Sequence, residues 1–111
     1  MINLREKERE AICRIAENCF TQPVEIWAYG SRVNGDSHAA SDLDLVVRAE
    51  GLKPMDWREL MAFREQIRES NIPILVQVFD WAKLPQSFRA NILKKYEVLF
   101  SNLTKEKISQ R

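Results

Sequence analysis

The sequence predicts an α/β (α+β) two-layer sandwich, a small mixed sheet packed against helices. Three observations lead there. Apolar residues recur at helical spacing near the N-terminus and again around residues 57–67. Runs of branched and aromatic residues at 24–29, 42–47 and 74–80 read as strands. The two kinds of segment interleave as α-β-(loop)-β-α-β-α-β, with three or four strands.

Leu4, Ala11, Ile12, Ile15, Ala16 and Cys19 mark one face of a helix over residues 3–19, and the charged run Arg5 to Glu10 fills its early turns. Thr21-Gln22-Pro23 ends it. Val24 to Tyr29 forms a strand that stops at Gly30. Residues 31–41 carry the turn-formers Asn34-Gly35, with room for a short helix after Ser31. Asp42-Leu43-Asp44-Leu45-Val46-Val47 opens as a strictly alternating strand, and Gly51 and Pro54 punctuate the loop after it. Trp57, Leu60, Met61, Phe63 and Ile67 define the apolar face of a second long helix, with Arg58, Glu59, Glu65 and Arg68 on its solvated side. Asn71-Ile72-Pro73 leads into the strand Ile74 to Asp80. A helix over 86–95 packs through Phe88 and Ile92, and Tyr96, Val98 and Phe100 suggest a short last strand. Residues 1–100 are expected to form one domain, and the polar stretch 101–111 a tail that frays or orders only against a partner.

The 111 residues carry seventeen Lys and Arg against sixteen Asp and Glu, a formal charge of +1. That balance argues against a broad basic face for nucleic acid, so no direct DNA binding is expected. No apolar run reaches the roughly 18–20 residues that span a bilayer, and the first residues do not resemble a signal peptide. The expectation is a cytoplasmic protein with no membrane association. Cys13 and Cys19 sit six residues apart on the first helix, roughly 9 Å along its axis, too far for a disulfide. They read as structural thiols. His38 has no partner at metal-ligand spacing and reads as a loop or surface residue.

Chemistry concentrates between Gly30 and Asp44. Gly30 ends a strand and Ser31 opens a turn, an arrangement that lets backbone approach a phosphate and adds a hydroxyl donor. Asp42 and Asp44, two apart in a strand, share one face roughly 6–7 Å apart, while Leu43 and Leu45 turn toward the helices. Like charges so placed repel, and Mg2+, which takes one or two carboxylates plus substrate phosphates, would supply the missing charge. The chemistry implied is metal-assisted transfer from a nucleoside triphosphate. The bland alternative is a turn beside a wet edge strand.

The string Gly30-Ser31-Arg32, Gly35, then Ser41-Asp42-Leu43-Asp44-Leu45 is Gly-Ser, ten residues, Asp-x-Asp. It resembles the polymerase-β-like nucleotidyltransferases, and in particular their smallest members, the minimal nucleotidyltransferases of the MntA antitoxin type. The resemblance spans roughly residues 10–100. It implies the two-layer fold of that superfamily, Asp42 and Asp44 as catalytic metal ligands, and ATP as substrate with Mg2+. It also implies Gly30, Ser31, Arg32 and Ser41 at the nucleotide. Arg32 and Gly35 read equally well as a salt-bridge partner and a turn glycine.

The chain departs from the family pattern on the third strand. A further carboxylate normally stands there, and this sequence has Gln77 within Val76-Gln77-Val78-Phe79. A glutamine carries no charge and is no base. Asp80 lies three residues on and would point to the opposite face. Binding is therefore expected to survive better than turnover. A chain this short is also expected to lack the helical acceptor domain of larger relatives. The resemblance supplies instead a separate helical partner of the HEPN class (higher eukaryotes and prokaryotes nucleotide-binding), often a ribonuclease toxin, which receives AMP on a tyrosine. Trp27, Trp57, Trp81, Tyr96 and Phe100 include candidate interface anchors. Two other readings stay open: a binding module that neutralises its partner by occlusion alone, and a small-molecule nucleotidylating enzyme.

Overall fold

The computed structural model describes residue 2 and residues 4–35 and 42–102. Helix α1 (Glu6–Cys19) starts where Glu6 and Glu8 complement the positive end of its dipole, and the Glu8 carboxylate accepts the Arg5 N–H at 3.3 Å. Strand β1 (Val24–Tyr29) follows, then the single helical turn α2 (Ser31–Asn34) and strand β2 (Leu43–Ala49). A 3₁₀ turn at Glu50–Leu52 leads to α3 (Trp57–Glu69), whose first turn is capped by the Asp56 carboxylate on the Arg58 N–H. Strand β3 (Val76–Asp80), a 3₁₀ turn at Trp81–Lys83, α4 (Gln86–Lys94) and β4 (Glu97–Ser101) complete the order.

The sheet runs β3-β2-β1-β4. β1 pairs antiparallel with β2 and β4, and β2 pairs parallel with β3, so the sheet is mixed as expected. One face carries Val24, Ile26, Ala28, Leu43, Leu45, Val47 and Val78 against α1 and α3. Ile12, Ala16, Leu60, Phe63 and Ile67 close that core from the helices. The other face is partly covered by α4 and the second 3₁₀ turn, where Trp81 and Ile92 pack on Trp27, Tyr29 and Val46.

Several local expectations change. Trp57 and Met61 are not on the buried face of α3. Trp57 is 65% exposed, because only the Leu60-Phe63-Ile67 stripe faces the sheet. In α4 Ile92 is buried, whereas Phe88 is exposed, meeting the Tyr29 ring edge-on and the Phe79 ring at a tilt. The alternation Tyr96, Val98, Phe100 is broken by a bulge opposite the Ile26–Trp27 step: Phe100 pairs with Ile26, Val98 with Trp27, and Leu99 is the extra residue. Leu99 is the one buried, and Val98 is 46% exposed. β3 begins at Val76 rather than residue 74, and β2 at Leu43 rather than 42. At the C-terminal end Asn102 ties back to Val24, its Oδ1 accepting the Val24 N–H at 2.6 Å. The remainder of the expected tail, His38 and Ser41 lie outside the described residues.

Candidate active site

The antiparallel pairing of β1 with β2, and the parallel pairing of β2 with β3, bring the end of β1 and the starts of β2 and β3 to one end of the sheet. Tyr29 stands opposite Asp44, and Asp44 opposite Gln77, so the three form a row on one sheet face. Asp42 precedes β2 by one residue and joins this row through Gln77, whose Nε2 donates to Asp42 Oδ2 at 3.1 Å.

Gly30 follows Tyr29 with φ +84° and ψ −156°, a conformation nearly confined to glycine. A second demand falls on the same position. A Cβ built there would lie 2.5 Å from Asp44 Oδ2, so the absent side chain is what lets the Asp44 carboxylate approach the backbone. The Gly30 carbonyl then accepts the N–H groups of Val33 and Asn34 at 3.0 and 2.9 Å, which closes the turn that carries Ser31. Ser31 is half-buried at the first position of α2, and Arg32 is buried at 5% exposure.

The charges are coupled as the spacing implied. Burial, and then the neighbouring Asp42 charge, push the Asp44 carboxyl above the usual carboxylate range. Burial and the Asp44 charge push the Tyr29 phenol up to about 12. Among the described residues no group of three or more His, Cys, Asp or Glu gathers. Asp80 does not join the pair. It is buried at 5% exposure, Oδ2 accepts the Met55 N–H at 3.0 Å, and Oδ1 accepts the Ala82 N–H at 3.1 Å. Its register partner Val47 belongs to the α1–α3 side of the sheet, which is why the carboxylate points away from Asp44. The donor set that remains, two carboxylates beside a neutral amide and a glycine-cleared approach, fits a hard divalent cation such as Mg2+.

Next to Gly30 lies a groove of about 440 Å³, lined by Tyr29 and Asn34 on one side and by Phe88, Asn91, Lys94 and Lys95 of the α4 region on the other. That is within the size range of small-ligand sites. The α4 residues were not legible as site residues. Lys94-Lys95 at a helix end reads first as a complement to the helix dipole, and only the fold carries it to the Gly30 turn.

With this geometry in place, comparison with known proteins is direct. Residues 10–105 match the family profile described as Polymerase beta, Nucleotidyltransferase. The chain belongs to this nucleotidyltransferase family. It is 39% identical over 94 residues to a Haemophilus influenzae protein described as a probable protein adenylyltransferase, MntA, covering 85% of this chain and 81% of that protein. A crystal structure of a toxin–antitoxin with AMP-PNP aligns with TM-score 0.68 at 15% identity, over 90% of this chain and 78% of that one. A Shewanella oneidensis complex of a tri-AMPylated HEPN toxin with MNT antitoxin aligns with TM-score 0.65 at 11% identity, over 95% and 79% of the two chains. At such identities the structural likenesses speak for the fold. The antiparallel β1–β2 ladder is what brings the Gly-Ser turn and the Asp pair to the same end of the sheet. Among the described residues no helix is long and apolar enough to cross a membrane.

Proposed function

We propose that this chain is a Mg2+-dependent nucleotidyltransferase that moves AMP from ATP to a hydroxyl of a HEPN-type helical partner, acting as the antitoxin of the pair. The carrying observation is the convergence of Asp42 and Asp44 beside Gly30, where a glycine is required for Asp44 to sit as it does. The printed descriptions of the relatives, a probable protein adenylyltransferase and an AMPylated HEPN toxin with its antitoxin, support the same acceptor class.

Gly30 and Ser31 bring backbone and hydroxyl to the phosphates, with Arg32 behind them. Ser41 is assigned there from the motif alone. The groove of Tyr29, Phe88, Asn91, Lys94 and Lys95 takes the rest of the nucleotide. A Mg2+ ion held by Asp42 and Asp44 would supply positive charge beside the phosphates. In the transfer, the acceptor oxygen attacks the α-phosphorus, forming the new P–O bond. The α–β bridging bond breaks, pyrophosphate leaves with the electron pair, and the hydroxyl proton passes to water. Gln77 has no carboxylate with which to accept it.

Incubation with labelled ATP, Mg2+ and the helical partner is expected to label the partner. Asp42→Asn with Asp44→Asn is expected to cut the label by at least about 100-fold, since removing even outer-sphere support costs up to that much. Undiminished labelling in the double variant overturns the reading. Gln77 favours a second reading, neutralisation by binding alone. It predicts that the double variant still silences the partner with no label on it.

A further inference from the structure

We propose that Gln77 is the positioning residue of a one-ion centre: its side-chain amide orients Asp42, so that Asp42 and Asp44 take a single divalent cation. This rests on the nucleotidyltransferase reading above. The bond itself sets the orientation of the amide. An ionised carboxylate only accepts hydrogen bonds, so Gln77 must turn Nε2, not Oε1, toward Asp42 Oδ2 at 3.1 Å. That bond engages Asp42 Oδ2, and no hydrogen bond from a described residue reaches Oδ1. Asp42 precedes β2, outside the ladder that holds Asp44 in place, so it needs such a tether more than Asp44 does. Outer hydrogen bonds of this kind fix the direction of a ligating carboxylate and raise metal affinity.

Charge gives the stoichiometry. The pair carries two negative charges when ionised, which one divalent ion balances. A second ion bridged between protein and phosphates calls for another anionic side chain, and Gln77, directly opposite Asp44, brings none. Asp80, the nearest acid along β3, is held on the far face by the Met55 and Ala82 N–H groups. Among the described residues no third acid, histidine or cysteine completes a cluster.

The test is Mn2+ titration of the full chain with a non-hydrolysable ATP analogue, read by loss of the free Mn2+ paramagnetic signal, with melting followed in parallel. The wild type is expected to bind one ion per protein–analogue complex. Gln77→Ala keeps one ion with affinity 10- to 100-fold weaker. Gln77→Asp binds two, melts about 4–8 °C lower in chelator because a second charge faces Asp42, and recovers with Mn2+. A residue with only a packing role would not give a melting loss that the ion reverses. Two ions on the wild type, unchanged affinity in Gln77→Ala, or no recovery of Gln77→Asp overturn the inference and leave the transferase reading standing. Ion binding untouched by Asp42→Asn with Asp44→Asn overturns both.

Discussion

Replacing Gly30 by alanine puts a methyl group where the Asp44 carboxylate now lies. From 2.5 Å the oxygen must retreat to ordinary contact at 3.4 Å, a shift of about 0.9 Å. The backbone adds a separate cost, because φ +84° with ψ −156° is a region where an L side chain loses about 1–3 kcal/mol. Gly51→Ala separates the two effects. Gly51 also has positive φ, +73°, but nothing lies within 4 Å of a Cβ there, so only backbone strain of about 1–2 kcal/mol is expected. Both variants should therefore melt lower, by about 4–8 °C for each kcal/mol in a domain of this size. Only Gly30→Ala should also lose transfer, by about 100-fold, the usual effect of displacing a reacting group by an ångström. Thermal melting and single-turnover labelling of the partner check the two parts independently. Wild-type transfer in Gly30→Ala, or an equal loss in Gly51→Ala, refutes the steric argument.

Asp80→Asn should cost about 1–3 kcal/mol, because it sets an amide against the Met55 and Ala82 N–H groups, while transfer per folded molecule stays unchanged. A normally stable Asp80→Asn protein that cannot transfer would place this carboxylate in the reaction after all. Arg48 lies against two indoles that meet edge-on, its guanidinium carbon 3.9 Å from the centre of the Trp27 ring and 4.5 Å from that of Trp81, and its Nη1 lies 3.8 Å from Glu25 Oε1. Arg48→Ala should lower the urea midpoint by the equivalent of about 1–2 kcal/mol, and Arg48→Lys should not restore it, since an ammonium lacks the flat face that stacks. Burial pushes both the Cys13 and Cys19 thiols up. At pH 8 each should hold less thiolate than a free cysteine and react more slowly with iodoacetamide, with rates rising as pH increases, which mass spectrometry can follow. Labelling as fast as free cysteine contradicts that burial.

Much of this protein was determined locally. The period of 3.6 in α1 and the period of 2 in β2 are written in consecutive residues, so Ile12 and Ala16, like Leu43 and Leu45, announce their buried face without reference to anything distant. Gly30-Ser31 and Asp42-x-Asp44 are each also compatible with an ordinary turn and strand; it is their spacing, Gly-Ser, ten residues, Asp-x-Asp, that carries the family resemblance in the sequence. Long-range pairing decided the rest. Strand alternation already turned Asp80 away from Gln77, but only the sheet order β3-β2-β1-β4 and its register set Gln77 opposite Asp44. Trp57 is apolar and helical yet exposed, because how wide a stripe the sheet covers depends on the neighbours, not on the helix. Leu99 is buried in place of Val98 because one bulge against β1 reverses the alternation. Lys94 and Lys95 reach the Gly30 groove only because α4 folds back across the sheet. Side-chain chemistry travels with the sequence, whereas the company each side chain keeps is settled by contacts between residues tens of positions apart.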